Sequence, residues 1–136
     1  MQDRPTAQEL LKAARDLCER DLLPALTGRV QFHTRVLVNV LAILEREWEQ
    51  EEPGVRAEYV RLQQLLELDE VQGEVPAPRH SAEPSFAEIR ERVRTANTEL
   101  AEKIRSGEMD DRFDDVLAAL EATTNDKLAI ANPNWF

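Results

Sequence analysis

The sequence predicts an all-α protein, a single-domain antiparallel bundle of about five helices spanning residues 1–136. Three observations predict it. Apolar residues recur at helical spacing along most of the chain, and two of these runs open on capping boxes. Proline, glycine and an Asn-Pro pair fall where the runs end. No segment alternates apolar and polar residues as a half-buried strand does, and no internal repeat divides the chain.

The first helix opens at Thr6-Ala7-Gln8-Glu9, where the Thr6 hydroxyl can accept from the Glu9 amide while the Glu9 side chain reaches back. Leu10, Leu11, Ala14, Leu17 and Cys18 follow at helical spacing. Pro24 ends the run, because it lacks an N–H and its ring displaces the preceding turn. Leu22 to Leu26 form an apolar corner, and Gly28 permits a sharp turn.

The second helix is expected from about Arg29 to Gln50. Its stretch Phe32 to Leu44 is too apolar for an ordinary surface helix, yet carries His33, Arg35 and Asn39. At about 100° per residue, apolar side chains cover roughly two thirds of the circumference. Such a helix needs cover from this chain or from a partner. Pro53 is expected to open a third helix at its first turn, with Val55, Tyr59, Leu62, Leu65, Leu66 and Leu68 on one face. Residues 69–84 break the pattern with prolines, a glycine and mixed charge, which reads as a linker or mobile loop.

Ser85-Phe86-Ala87-Glu88 is the second capping box. It starts a helix with Phe86, Ile89, Val93, Leu100 and Ile104 on a narrow stripe, which Gly107 ends. The last helix begins near Asp110 or Asp111 and carries Phe113, Val116, Leu117, Leu120, Leu128 and Ala131. Asn132 then offers a left-handed cap, and Pro133 cannot continue the helix.

Composition narrows the function. A net charge of -10, with 17 basic residues interleaved among 27 acidic ones, argues against nucleic acid and against an anionic membrane surface. The first half, residues 1–68, has 9 basic and 12 acidic groups, against 8 and 15 in the second, so an anionic ligand fits the first half better. One cysteine, Cys18, allows no internal disulfide and suits a reducing cytoplasm. The N-terminus has no signal-peptide pattern, and the apolar run 36–44, interrupted by Asn39, is too short for a membrane span. A cytoplasmic protein is expected.

Several residues are candidates for chemistry. His33 sits within the apolar arc, as a general base, a polar anchor or a core histidine. No Ser, Cys or Asp lies at a spacing that makes it a catalytic pair. Metal is poorly supported, since His33 and His80 are the only histidines and no paired cysteines exist. Arg35, Asn39 and Arg46 lie on one strip of the same helix, bordered by Phe32 and Ile43. That strip reads as a recognition surface for a phosphate, a carboxylate or a partner, or as a solvated face with Glu49 pairing Arg46. Asn97 reads as an amide that fixes helix register. The acids of Glu108 to Asp115 lack the glycine and glutamate spacing of a calcium loop and suit a helix N-terminus. The tail Asn132-Pro133-Asn134-Trp135-Phe136 ends on two aromatics that dock on the chain or on a partner. No glycine-rich phosphate loop is present.

In chain order, Arg4-Pro5-Thr6, Leu23-Pro24-Ala25-Leu26 with Gly28-Arg29, Phe32-His33 with Arg35-Val36 and Asn39, and Lys127 to Ile130 with Asn132-Pro133 resemble a small bacterial domain family. That family is of unknown function, and its genes lie beside acyl-CoA dehydrogenases and kinases resembling aminoglycoside phosphotransferases. One group in it is the small subunit of a two-protein 4-hydroxyacyl-CoA kinase of levulinate catabolism, similar to this chain in size and motif order. The resemblance implies an accessory, non-catalytic subunit that binds a phosphotransferase-like kinase. ATP and magnesium are then expected in the kinase and no cofactor in this chain. The matching positions are Arg4, Pro24, Phe32, His33, Arg35, Asn39, Lys127, Asn132 and Pro133. The resemblance covers both ends and the second helix and is weak over residues 50–110. Val38 and Val40 are bulkier than the pattern leads one to expect, and the 69–84 segment is long. Two other readings stand beside it: a stand-alone enzyme or ligand-binding bundle using His33, and a bundle that associates with itself.

Overall fold

The computed structural model describes residues 4–67 and 84–135, and all its regular elements are helical. Four α-helices of more than a single turn carry them: α1 (Ala7–Leu17), α2 (Gly28–Leu66), α3 (Phe86–Ser106) and α4 (Phe113–Ala131), with one short helical turn at Leu23–Ala25 before α2. The all-α class is as expected, but the count among the described residues is four rather than about five. Leu68, His80 and the expected linker 69–84, apart from Pro84, lie outside the described residues. The chain divides into two compact units, one of Met1–Glu51 with Leu128–Phe136, the other of Glu52–Lys127.

The missing helix boundary is at Pro53, which sits inside the 39-residue α2 instead of opening a new helix. Proline removes one N–H from the ladder and crowds the carbonyl of Glu49, four residues back. Local chemistry holds the helix across that gap. Arg56 donates to the Glu52 carboxylate through Nε at 3.0 Å and Nη2 at 2.7 Å, one i,i+4 pair that straddles the proline. The glutamate-rich stretch before it consists of good helix formers. Restoring the N–H with Pro53→Ala is expected to stabilise the protein by about 1–2 kcal/mol, the helix gain less the lost stiffness of the unfolded chain. Urea titration of both forms checks this, and a less stable variant would mean that the fold depends on the proline.

In the N-terminal unit, α1 starts on its capping box. Thr6 Oγ1 accepts from the Glu9 amide at 3.2 Å, and the Thr6 amide donates to Glu9 Oε2 at 2.7 Å. The helix does not simply stop before Pro24. It widens over Cys18–Leu22 into a π-turn, in which the Leu23 amide reaches the Cys18 carbonyl. An inserted residue of this kind lets the chain pass a point where an ordinary ladder bond is lost. Gly28 then starts α2 at φ 62°, which glycine adopts without strain. Polar bonds tie α2 to its neighbours. Gln8 donates to Glu49, Arg15 Nε lies 3.3 Å from Glu45 Oε1, and Arg46 Nε donates to the Ile130 carbonyl at 2.7 Å. The Arg15–Glu45 contact is an ion pair without hydrogen-bond alignment. Only Cys18 and Thr34 are fully buried among this unit's described residues.

The C-terminal unit has the larger core. Leu62, Leu65 and Leu66 of α2 meet Ile89, Val93, Ala96 and Leu100 of α3, with Met109 and Val116 closing the cluster. Val55 and Tyr59 pack against it, so the face read from α2 is the face that is buried. Ile104, on the stripe read from α3, and Phe113, Leu117 and Leu120 of α4 are exposed. Along α2, Glu58 bonds Lys127 and Arg61 bonds Asp126, while the Gln64 and Leu65 carbonyls meet Arg112. Rising numbers in α2 therefore meet falling numbers in α4, and the two run in opposite directions. Arg112 donates to the Leu65 carbonyl at 2.8 Å and the Gln64 carbonyl at 3.3 Å. It thus satisfies the end of α2 beside Glu67, whose φ of 51° is rare for a residue with a Cβ.

Both ends of α3 follow from the sequence. Gly107 takes φ 82°, and the Gly107 and Glu108 amides return to the Ile104 and Lys103 carbonyls. At the start, the Ser85 hydroxyl and amide each donate to Glu88 Oε2 at 2.7 Å. These bonds, hydroxyl first, together with the nearby Arg92, hold the Glu88 carboxyl below the ordinary glutamate value. The cap's contribution is therefore full above the ordinary glutamate range and is lost as pH falls through the lowered folded value. Carboxyl NMR titration should place Glu88 below an unstructured glutamate, and Ser85→Ala should move it back up.

Candidate functional site

The candidate recognition residues cluster on the first half of α2. Phe32, His33, Arg35 and Asn39 are all exposed, Phe32 at 60 %. His33 is not a core histidine. Its Nε2 accepts from Arg29 Nε at 3.1 Å, and the Phe32 ring meets it edge-on with centroids 5.8 Å apart. Neighbours at i and i+4 on a helix explain the Arg29 bond. Among the described residues, no hydrogen bond or ion pair engages the side chains of Arg35 or Asn39. A planar guanidinium and an amide thus stand free one turn apart on one helix, beside the exposed Phe32 ring.

Arg46, read as the third member of this strip, is committed elsewhere. Its bond to Ile130 ties α2 to the last turn of α4, where a cation suits the exposed carbonyls. Glu49, expected to pair with Arg46, instead receives Gln8. Lys127 belongs to the C-terminal unit, where it lies 3.3 Å from Glu58. Asn132 is exposed, and its amide donates to the Leu128 carbonyl at 2.7 Å. It takes no left-handed cap, since Glu67 is the only described non-glycine residue with positive φ, so Pro133 alone ends α4. The Trp135 side chain and Phe136 lie outside the described residues.

Sequence reading gives Asn97 as a register-fixing amide but misses its partner Glu58 and one charged cleft in the C-terminal unit. Glu58 is 6 % exposed and accepts from Asn97 Nδ2 at 2.8 Å as well as from Lys127. The signal was present: Glu58 interrupts the apolar face of Val55, Tyr59 and Leu62, and Asn97 interrupts the stripe of α3. The cleft, of about 420 Å³, is lined by Arg61, Gln64, Arg112 and Asp115. Its charges are already matched. Arg61 donates to Asp126 at 2.6 Å, and Arg112 is spread over two carbonyls, Glu67 and Asp115. Among the described residues, no three His, Cys, Asp or Glu side chains gather to hold a metal ion, and no helix is long and apolar enough to cross a membrane.

What the fold and surface define is a small all-α protein with an exposed mixed apolar and polar helix face. The chain belongs to a domain family of unknown function (DUF6285), whose profile matches residues 24–135. No curated protein and no solved structure matches the chain.

Proposed function

We propose that this chain is a non-catalytic accessory subunit that binds a phosphotransferase-like kinase acting on hydroxyacyl-CoA in acyl-CoA catabolism. ATP and magnesium belong to the kinase in this reading. The observation that carries it is the pair of unengaged side chains Arg35 and Asn39, displayed with the exposed Phe32 ring on the first half of α2. An exposed aromatic beside an arginine and an amide is the residue mixture that anchors protein interfaces. The order of the Leu23-Pro24, Phe32-His33 and Asn132-Pro133 motifs supports the choice of kinase.

The test uses a phosphotransferase-like kinase from the same genome. Calorimetry should detect a complex, and Arg35→Ala should weaken it about tenfold or more as a buried-fork anchor. Its thermal melt should stay near that of the parent, because an exposed arginine without a partner contributes little to stability. Failure of the purified proteins to associate overturns the proposal. So does turnover of ATP by the isolated chain that His33→Ala abolishes, which favours a stand-alone enzyme.

A further inference from the structure

We propose that the first half of α2 pairs with the same segment of a second copy, antiparallel, across a seam of Val30, His33, Leu37, Val40 and Leu44. These positions advance by alternating steps of three and four residues, the spacing of a coiled-coil seam. They cover about 21 Å of helix. Their large side chains lie open: Val30, Leu37, Val40 and Leu44, with Val36 beside them, are each 40–57 % exposed. One flank of the same helix is already used, by buried Thr34 and by the contact of Glu45 with Arg15. A two-heptad seam is short for free helices. Here the helix is already formed and tied to its neighbours by its own fold, so little ordering remains to be done on pairing.

Burial supplies a second argument. The C-terminal unit buries nine apolar side chains in one cluster, whereas Cys18 is the only fully buried apolar residue described in the N-terminal unit. That unit therefore leaves its most apolar surface unfilled, and contiguous surface of this kind marks an interface.

Charge selects the occupant and its direction. From Gly28 to Leu44 the helix carries Arg29, His33 and Arg35 and no acid. From Glu45 to Glu52 it carries five glutamates and one arginine. A second copy laid antiparallel sets Leu37 against the partner's Val40, and His33 against the partner's Leu44. It sets Val30 against the partner's Glu47, with Arg29 one residue further along the same helix, twice in the symmetric pair. Glu47 is exposed, and among the described residues nothing engages it. A parallel pair would instead set arginine against arginine and glutamates against glutamates. The Phe32, Arg35 and Asn39 strip lies across the helix from the seam and stays open in the pair, so this pairing does not depend on the kinase.

Sedimentation of the full chain alone tests it. The parent should run as a dimer at micromolar concentration. Leu37→Glu should run as a monomer that keeps its helical circular dichroism. Arg29→Glu should raise the dissociation constant about tenfold, and adding Glu47→Arg should bring it back to within about threefold of the parent. A parent that stays monomeric at high micromolar concentration overturns the proposal. So does a dimer indifferent to Leu37→Glu, or a charge swap that compounds the loss instead of repairing it.

Discussion

Leu100→Ala is expected to destabilise the protein by about 2–5 kcal/mol, the range for removing a leucine from a packed core. Leu100 is 2 % exposed and belongs to the one cluster that joins α2, α3 and the start of α4. Truncation removes the transfer energy of the lost carbons. It also leaves a void that cannot collapse, because the surrounding Leu62, Leu65 and Val93 are fixed by rigid helices. A loss of this size is a large part of the stability of a small protein. Urea denaturation followed by circular dichroism measures it. Leu117→Ala serves as the contrast: at 43 % exposure it removes similar carbons with far less effect. Equal losses at the two positions would mean that the surface of α4 is covered in solution, and that the cluster is not the main core.

The elements that could be read from sequence are those whose cause is local. Each capping box needs only four consecutive residues, and both formed with the expected bonds. Gly107 ended α3 because a left-handed cap is a single-residue property. Pro53 could not be read this way. A proline at the start of a helix and a proline inside one look alike in sequence. What decides between them is whether flanking bonds, here Arg56 to Glu52, carry the helix past the missing N–H. The candidate site divided along the same line. The residue types on α2 were legible, and so was their shared face. Which of them the chain uses for itself was not, because Arg46 meets the Ile130 carbonyl 84 residues away and nothing local forecasts that meeting. His33 lies on an apolar arc and would be a core residue if that arc were covered within the chain. It is exposed because α1 and the end of α4 engage a different side of the helix.

Substitutions at Glu58 should separate the roles of its charge and its hydrogen bond. The carboxylate is buried, accepts from Asn97, and meets Lys127 at 3.3 Å. Glu58→Ala removes the acceptor of the half-buried Asn97 amide and empties a buried site, which should cost about 1–3 kcal/mol. Glu58→Gln keeps an oxygen for Asn97 and loses only the attraction to Lys127. Because the Lys127 side chain is 66 % exposed, that attraction is screened, and the loss should be no more than about 1 kcal/mol. Lys127→Ala should match the glutamine variant for the same reason. Replacing both polar partners with apolar ones, Glu58→Met with Asn97→Leu, should restore most of the stability that Glu58→Ala loses, since neither group is then left unpaired. The four variants are compared by chemical denaturation at neutral pH. If Glu58→Gln costs as much as Glu58→Ala, the charge itself holds this junction, and Lys127 is an anchor of the fold despite its exposure.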